Sequence, residues 1–308
     1  MKPLCIYHGG CDDGFGAAWS VRRALGDDVE FYPGVYQREP PDVTGRDVIM
    51  VDFSYKRPVL DSMMKGPACA RSLLILDHHK TAQEDLADIR APFGSGWQRH
   101  LQNVAQDTCE GIDGTPYALF DMNRSGAGLA WDFFSGDAPR PAFVDYIEDR
   151  DLWWKSLPFG DEFTMCLRSY PQDFTVWDDL AARGPESMIG EGVIIKRYYR
   201  LRVDELKRQA YPAIIGGAPC MISNAPYFAA SEVAGEIAGE GGTHFGACYF
   251  ESRQGVFQYS LRSHGDFDVS AIAKKFGGGG HKNAAGFSTF AVAHKVPVLK
   301  EPTAGPLP

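Results

Sequence analysis

The chain has 308 residues, 44% apolar, 12% aromatic and 23% charged, a balance that excludes wholesale disorder and, at roughly 100 to 200 residues per domain, predicts two domains. Its net charge of −9 makes it a poor candidate for sequence-independent duplex binding, which rests on a broad basic surface neutralising phosphates, and leaves room for local basic pockets. No apolar run approaches the ~18 residues of a membrane span, and the opening MKPLCIYHGGCDDGF sets two carboxylates after one short apolar stretch, which reads as a soluble, non-secreted protein.

Seven cysteines, Cys5, Cys11, Cys69, Cys109, Cys166, Cys220 and Cys248, are scattered and never form a C-x-x-C pair. An odd, dispersed set argues against a disulfide framework or a zinc ribbon and for a reducing compartment, so the expected location is the cytoplasm.

Along the first part of the chain, short apolar runs alternate with helical stretches. Residues 4–7, 48–52 and 72–76 read as strands, and residues 16–25 and 59–65 as helices. Brief apolar runs separated by helices mark buried strands of a parallel sheet with helices on both faces. Residues 91–115 look irregular, 125–134 and 141–154 read as two helical pieces, and 187–209 is a long charged helix. Beyond it, 218–223, 245–250 and 256–262 read as strands and 231–238 and 269–276 as helices. The predicted organisation is a domain over 1–186, a connecting helix over 187–211, a smaller α/β domain over 212–292, and a Pro-rich tail over 293–308.

The polar residues with chemical potential fall directly after the first three predicted strands: His8 to Asp13, Asp52, and Asp77 to His79. In open parallel sheets ligands bind outside the carboxyl ends of the strands, so these segments should converge on one edge. Asp149, in AFVDYIEDRDLWW, adds a further carboxylate. Carboxylates and imidazoles suit Mn²⁺, Mg²⁺, Fe²⁺ or Zn²⁺. A carboxylate shared by two cations holds them about 3.5 to 4 Å apart, the spacing of two-metal phosphoester hydrolysis, and Asp52 is the candidate bridge. Near the C-terminus, Gly277 to Gly280 precede His281, Asn283 and small residues. Such a run lets the backbone approach an anion, with the small residues opening a helix whose N-terminus favours negative charge. It reads equally as a flexible loop until Arg262, which can grip phosphate bidentately, and His281 are counted.

The ordered set HGGCDDG from His8, Val51-Asp52, LDHH ending at His79 and IEDRDLW from Ile147 resembles the DHH phosphoesterases, and SLRS around Arg262 with GGGGHKNAAGF from Gly277 resembles their DHHA1 domain. The resemblance runs from about residue 5 to 290. It implies a two-domain α/β architecture, an N-terminal parallel-sheet DHH domain and a smaller DHHA1 domain, with the active site in the cleft between them. By position, His8, Asp12, Asp13, Asp52, His78 and Asp149 match the metal ligands, for two Mn²⁺ ions or alternatively Mg²⁺ or another divalent cation. Asp77 and His79 match members that support the ligands and contact substrate. Asp12 and Asp13 are adjacent where the family has them one residue apart, so their division of labour stays open, with Asp13 the better match. Residues two apart on a helix face differently, so only one of Asp149 and Asp151 should meet the metals; Asp149 is taken, and Asp151 is read as structural.

Arg262, Gly278, Gly279, Gly280 and His281 match the substrate-binding motif, with Arg124 an additional candidate and Arg168 a weaker one. Ser125 reads as a helix cap. Trp153, Trp154, Tyr170 and Trp177 are candidates for stacking a base or for core packing. The function this implies is metal-dependent hydrolysis of phosphodiester bonds in short oligonucleotides or dinucleotides by metal-activated water. The alternative is an exopolyphosphatase or pyrophosphatase type of phosphohydrolase, and the third reading is a nucleotide-binding protein without activity. Neither stable duplex binding nor a membrane is expected, and a homodimer is allowed.

Overall fold

The structure is a computed structural model that describes residues 1–36, 38–110, 116–253 and 255–295. Contacts divide the chain into two units, Met1–Lys196 and Arg197–Pro308. The first holds β1 (Leu4–His8), α1 (Asp12–Leu25), β2 (Glu30–Gly34), β3 (Asp47–Val51), α2 (Arg57–Met64), β4 (Ser72–Asp77), α3 (Lys80–Asp85), α4 (Trp97–Cys109), β5 (Tyr117–Phe120), α5 (Gly126–Ser135), α6 (Ala142–Asp151), α7 (Gly160–Arg168) and α8 (Phe174–Arg183). The division falls inside α9 (Pro185–Arg208).

The five strands are all parallel, in the order β2-β1-β3-β4-β5. Alternating side chains explain why the strands read as continuous apolar runs. Ile6, Val48, Met50, Leu73 and Ile75 enter a core on one face with Leu60 and Met63 of α2. Cys5, Ile49, Val51, Leu74 and Leu76 enter another on the opposite face with Ala17 and Val21 of α1 and Leu129 and Phe133 of α5. A strand buried on both faces has no polar side to show. Because the chain leaves β1 towards β2 on one side and β3 on the other, the crevice of a doubly wound sheet opens at the carboxyl ends of β1 and β3.

Two departures from the sequence reading have clear causes. Residues 97–109, expected to be irregular, form α4, whose buried positions are Trp97, His100, Asn103 and Asp107; the spacing is helical but three of the four are polar, so no apolar period shows. β2 has no counterpart in that reading because Glu30-Phe-Tyr-Pro-Gly34 is a short edge strand, where Pro is tolerated.

The second unit holds β6 (Tyr211–Ile215), β7 (Ala218–Asn224), α10 (Tyr227–Glu236), β8 (Phe245–Arg253), β9 (Val256–Arg262), α11 (Val269–Lys274), β10 (Gly279–His281), β11 (Ala284–Thr289) and β12 (His294–Lys295). Its sheet order is β10-β11-β9-β8-β7-β6-β12, mixed, with β7 and β8 the parallel pair among otherwise antiparallel neighbours. The small residues after the glycine run extend as β11 instead of opening a helix. The fit there is close: a Cβ on Gly278 would collide with the Gly286 carbonyl oxygen. The Pro-rich tail from residue 296 onward lies outside the described residues. Among the described residues, no helix is long and apolar enough to cross a membrane.

Leu74 is fully buried on an interior strand of the parallel sheet, between Ile49 of β3 and Tyr117 of β5. Leu74→Ala should therefore cost about 3 kcal/mol in denaturant unfolding, and a loss below about 1 kcal/mol would contradict the two-faced packing.

Candidate metal centre

Three strand ends and two helix ends deliver the site. His8 closes β1, Asp52 follows β3 directly, and Asp77 closes β4 with His78 and His79 after it. Asp52 has φ of 53°, a left-handed conformation that a non-glycine residue adopts only where its surroundings hold it. Its amide donates to the Leu76 carbonyl at 3.0 Å. Gly126, at the start of α5, makes this possible: a Cβ there would collide with the Asp52 Cβ.

Asp13, in the first turn of α1, reaches across to α5. Its carboxylate accepts from the Gly126 amide at 2.5 Å and the Ala127 amide at 2.9 Å, satisfying donors that have no intrahelical partner. Ser125 caps the same helix, accepting from the Gly128 amide at 3.2 Å.

His78 is the hub. Its Nε2 lies 3.0 Å from Asp52 Oδ1, 3.7 Å from Asp13 Oδ2 and 3.6 Å from Asp151 Oδ2. His8 Nδ1 stands 3.4 Å from Asp52 Oδ2, outside hydrogen-bond geometry, so that this buried oxygen has no hydrogen bond. The fully buried Asp77 accepts from the amides of His78 and His79 at 2.8 and 3.2 Å and from His79 Nδ1 at 2.7 Å. It thereby fixes the His79 ring, as carboxylates behind ligand imidazoles commonly do.

Two three-residue groups result, His8, Asp52 and His79, and Asp13, Asp52 and His78, with the donor atoms of each within 4.8 Å of one another. Asp52 belongs to both. The electrostatics describe a site short of positive charge. Burial and the charges of Asp52 and Asp151 push Asp13 well above the usual carboxylate range, and burial and Asp52 likewise raise Asp151. Burial works against charge on Asp52, but the imidazoles of His78 and His8 outweigh it and hold its carboxyl below the usual value. For His78, burial is outweighed by Asp52, Asp13 and Asp151, and it is pushed up to about 9. A divalent cation would balance such a cluster of buried carboxylates. The buried, unpaired oxygen of Asp52 and the mixed oxygen and nitrogen donors fit such an ion.

The expected residues do not all arrive. Asp13 joins the cluster, whereas Asp12 pairs with Arg168 at 2.5 Å. Asp149 is turned to the following loop, where its Oδ1 accepts from the Ser156 amide at 2.8 Å and the Ser156 hydroxyl at 2.5 Å. Asp151, read from sequence as structural, is the carboxylate beside His78, and Asp149, taken from sequence as the ligand, is not brought there. Arg124 is held by Glu148 at 3.1 Å and Asp132 at 2.7 Å in a network with Arg140, so it lies among carboxylates and not free for substrate. In the second unit, His281 and Arg262 both stand in register with Ala284, one row across adjacent strands, about 10 Å end to end. His281 is exposed, and Arg262 donates to Ser231 Oγ at 2.8 Å. Gly278, Gly279 and Gly280 run beside them into β10.

Tyr36 is the neighbour that sequence reasoning misses. Its half-exposed ring stands edge-on to His8 at 5.3 Å and 6.5 Å from His79. It follows β2, so recognising that strand would have carried Tyr36 to the same sheet edge.

Residues 221–299 match the family model of the DHHA1 domain. Over 96% of this chain and 70% of its own length, an uncharacterised protein of Acanthamoeba polyphaga mimivirus, R106, is 28% identical. Among solved structures, the pGpG-specific phosphodiesterase PggH from Vibrio cholerae aligns over 94% of this chain and 93% of its own, with 12% identity and a TM-score of 0.45. RecJ from Thermus thermophilus, solved in complex with Mn²⁺, aligns over 93% of this chain and 49% of its own, with 14% identity and a TM-score of 0.47.

The two acidic residues of α6 separate by experiment. Asp151→Asn should weaken Mn²⁺ binding about tenfold or more, while Asp149→Asn should leave it within about threefold and lower thermal stability through the loop; titration calorimetry with the reverse ranking would refute the placement.

Proposed function

We propose that this chain, whose residues 221–299 match the DHHA1 domain model and whose N-terminal motifs resemble the DHH phosphoesterases, is a DHH/DHHA1 phosphoesterase that hydrolyses phosphodiester bonds of short oligonucleotides or dinucleotides with two Mn²⁺ ions, Mg²⁺ or another divalent cation being the alternative. The observation that carries the proposal is one buried carboxylate, Asp52, shared by two sets of three donors. That is the arrangement by which a protein holds two cations for in-line displacement at phosphorus.

Divalent ions bound there would lower the pKa of water and neutralise phosphoryl oxygens. The chain's own residues do the rest. His8, Asp13, Asp52, His78 and Asp151 would hold the cations, with His79 joining His8 and Asp52 as its position suggests. Asp77 orients His79, and the start of α5 keeps Asp13 fixed. Such supporting contacts matter because a ligand set loosened by a fraction of an ångström loses both affinity and alignment. Within residues 212–292, Arg262 and His281 offer donors to phosphate oxygens, with Gly278, Gly279 and Gly280 keeping the neighbouring backbone free of side chains. All seven cysteines are free, in keeping with a reducing, cytoplasmic setting.

Turnover in Mn²⁺ of a panel containing a linear dinucleotide, a short oligoribonucleotide, a cyclic dinucleotide, polyphosphate and pyrophosphate tests the reading. Mononucleotide release from the dinucleotide or oligomer is expected, falling more than about a hundredfold in Asp52→Ala. Phosphate release from polyphosphate or pyrophosphate alone, or silence across the panel with metal bound, would overturn it.

A further inference from the structure

Directly after Asp151 the chain enters a segment whose backbone is held in unusual conformations. Trp153, Lys155 and Phe159 have φ of 56°, 50° and 59°, a region that side chains with a Cβ disfavour. Asp149 keeps it there. Its carbonyl accepts from the Trp154 amide at 3.1 Å, and its carboxylate accepts from Ser156 and from the Leu157 amide at 3.3 Å. Strain maintained by a dedicated buried acceptor marks a segment whose shape serves something other than packing.

What the shape does is hold indoles out. Trp19, Trp97, Trp131 and Trp177 are buried, but Trp153 is 65% exposed and Trp154 52%. The Arg150 guanidinium lies 4.3 Å from the centre of the Trp153 ring, and the Lys155 ammonium 4.9 Å. Arg150 also lines a narrow crevice of about 50 Å³ together with Asp13 and Asp151 of the metal centre and Arg168. The neighbouring arginines are engaged: Arg168 with Asp12, Arg124 and Arg140 with Glu148. Among the described residues, Arg150 is held by no carboxylate.

We propose that Arg150 and Trp153 form a nucleotide subsite on the first unit, Arg150 gripping an oxygen of the phosphodiester presented to the metal centre and Trp153 stacking the attached base. A guanidinium resting on an indole keeps its in-plane N–H donors available for phosphate while its face is covered. An exposed indole gives any base a π-face to lie on, without regard to sequence, once the flexible Lys155 side chain, the second cation over the ring, swings aside. Chain length places the two functions correctly, since Trp153 is two residues from Asp151 and their Cα atoms are within about 7 Å. The subsite rests on the phosphodiesterase reading for its substrate class and adds to it a preference for diesters that carry a base.

The test compares wild type, Trp153→Ala, Trp153→Phe and Arg150→Ala with Mn²⁺ on a linear dinucleotide and on its abasic analogue, and measures dinucleotide binding by calorimetry in chelator. Trp153→Ala should reduce the ratio of kcat/KM for dinucleotide over abasic analogue about tenfold, chiefly through KM, with Trp153→Phe restoring most of it. Arg150→Ala should depress both substrates alike. An unchanged ratio in Trp153→Ala, or an equal loss on both substrates, would overturn the subsite. If wild type turned over neither substrate, the phosphodiesterase reading would fail by itself. The subsite would then stand on a tenfold weaker dinucleotide affinity in Trp153→Ala, and fall on an unchanged one.

Discussion

Three carboxylates, Asp13, Asp52 and Asp151, surround one imidazole nitrogen within 3.7 Å in a largely buried volume, and the surrounding architecture is arranged to make that tolerable. Buried like charges are costly unless each is bonded or balanced. Asp13 is bonded by the first amides of α5, Asp52 by His78, and what remains is the demand for a cation. The glycines near the site follow from the same constraint. Gly126 allows the α5 terminus to close on Asp52, and a Cβ on Gly14 would collide with the His8 carbonyl oxygen, so α1 could not start where Asp13 needs it.

Much of this was legible because a parallel sheet writes itself plainly. Strands buried on both faces leave runs such as SLLIL, and their carboxyl ends must meet at one edge. That was enough to bring His8, Asp52, Asp77, His78 and His79 together. What failed to show was the facing of polar residues on helices. Asp149 and Asp151 are two positions apart, and nothing in the sequence says that the loop from Trp153 to Leu157 needs a buried acceptor, which is what turns Asp149 away. Asp12 presents the same difficulty, since its partner Arg168 is distant in sequence.

Composition misled in two further places. The buried face of α4 is mostly polar, with His100 stacked on Trp97 at 5.3 Å and Asp107 receiving the Tyr117 hydroxyl, so a helix looked like a loop. The glycine run looked like a loop before a helix and is instead a strand pair in which side chains would collide with the neighbouring backbone. Both errors come from treating polarity and glycine content as signs of irregularity, when here they serve close packing. Exposure, too, was unreadable: Trp177 and Trp153 are alike in sequence terms, and only tertiary packing buries the one and presents the other.

Whether Asp52 is shared by two cations can be seen by anomalous diffraction from crystals grown with Mn²⁺. Two peaks about 3.5 to 4 Å apart are expected, one on each side of Asp52, with Asp13, His78 and Asp151 near one and His8 near the other. A single peak away from Asp52, or density centred on Asp149, would contradict it.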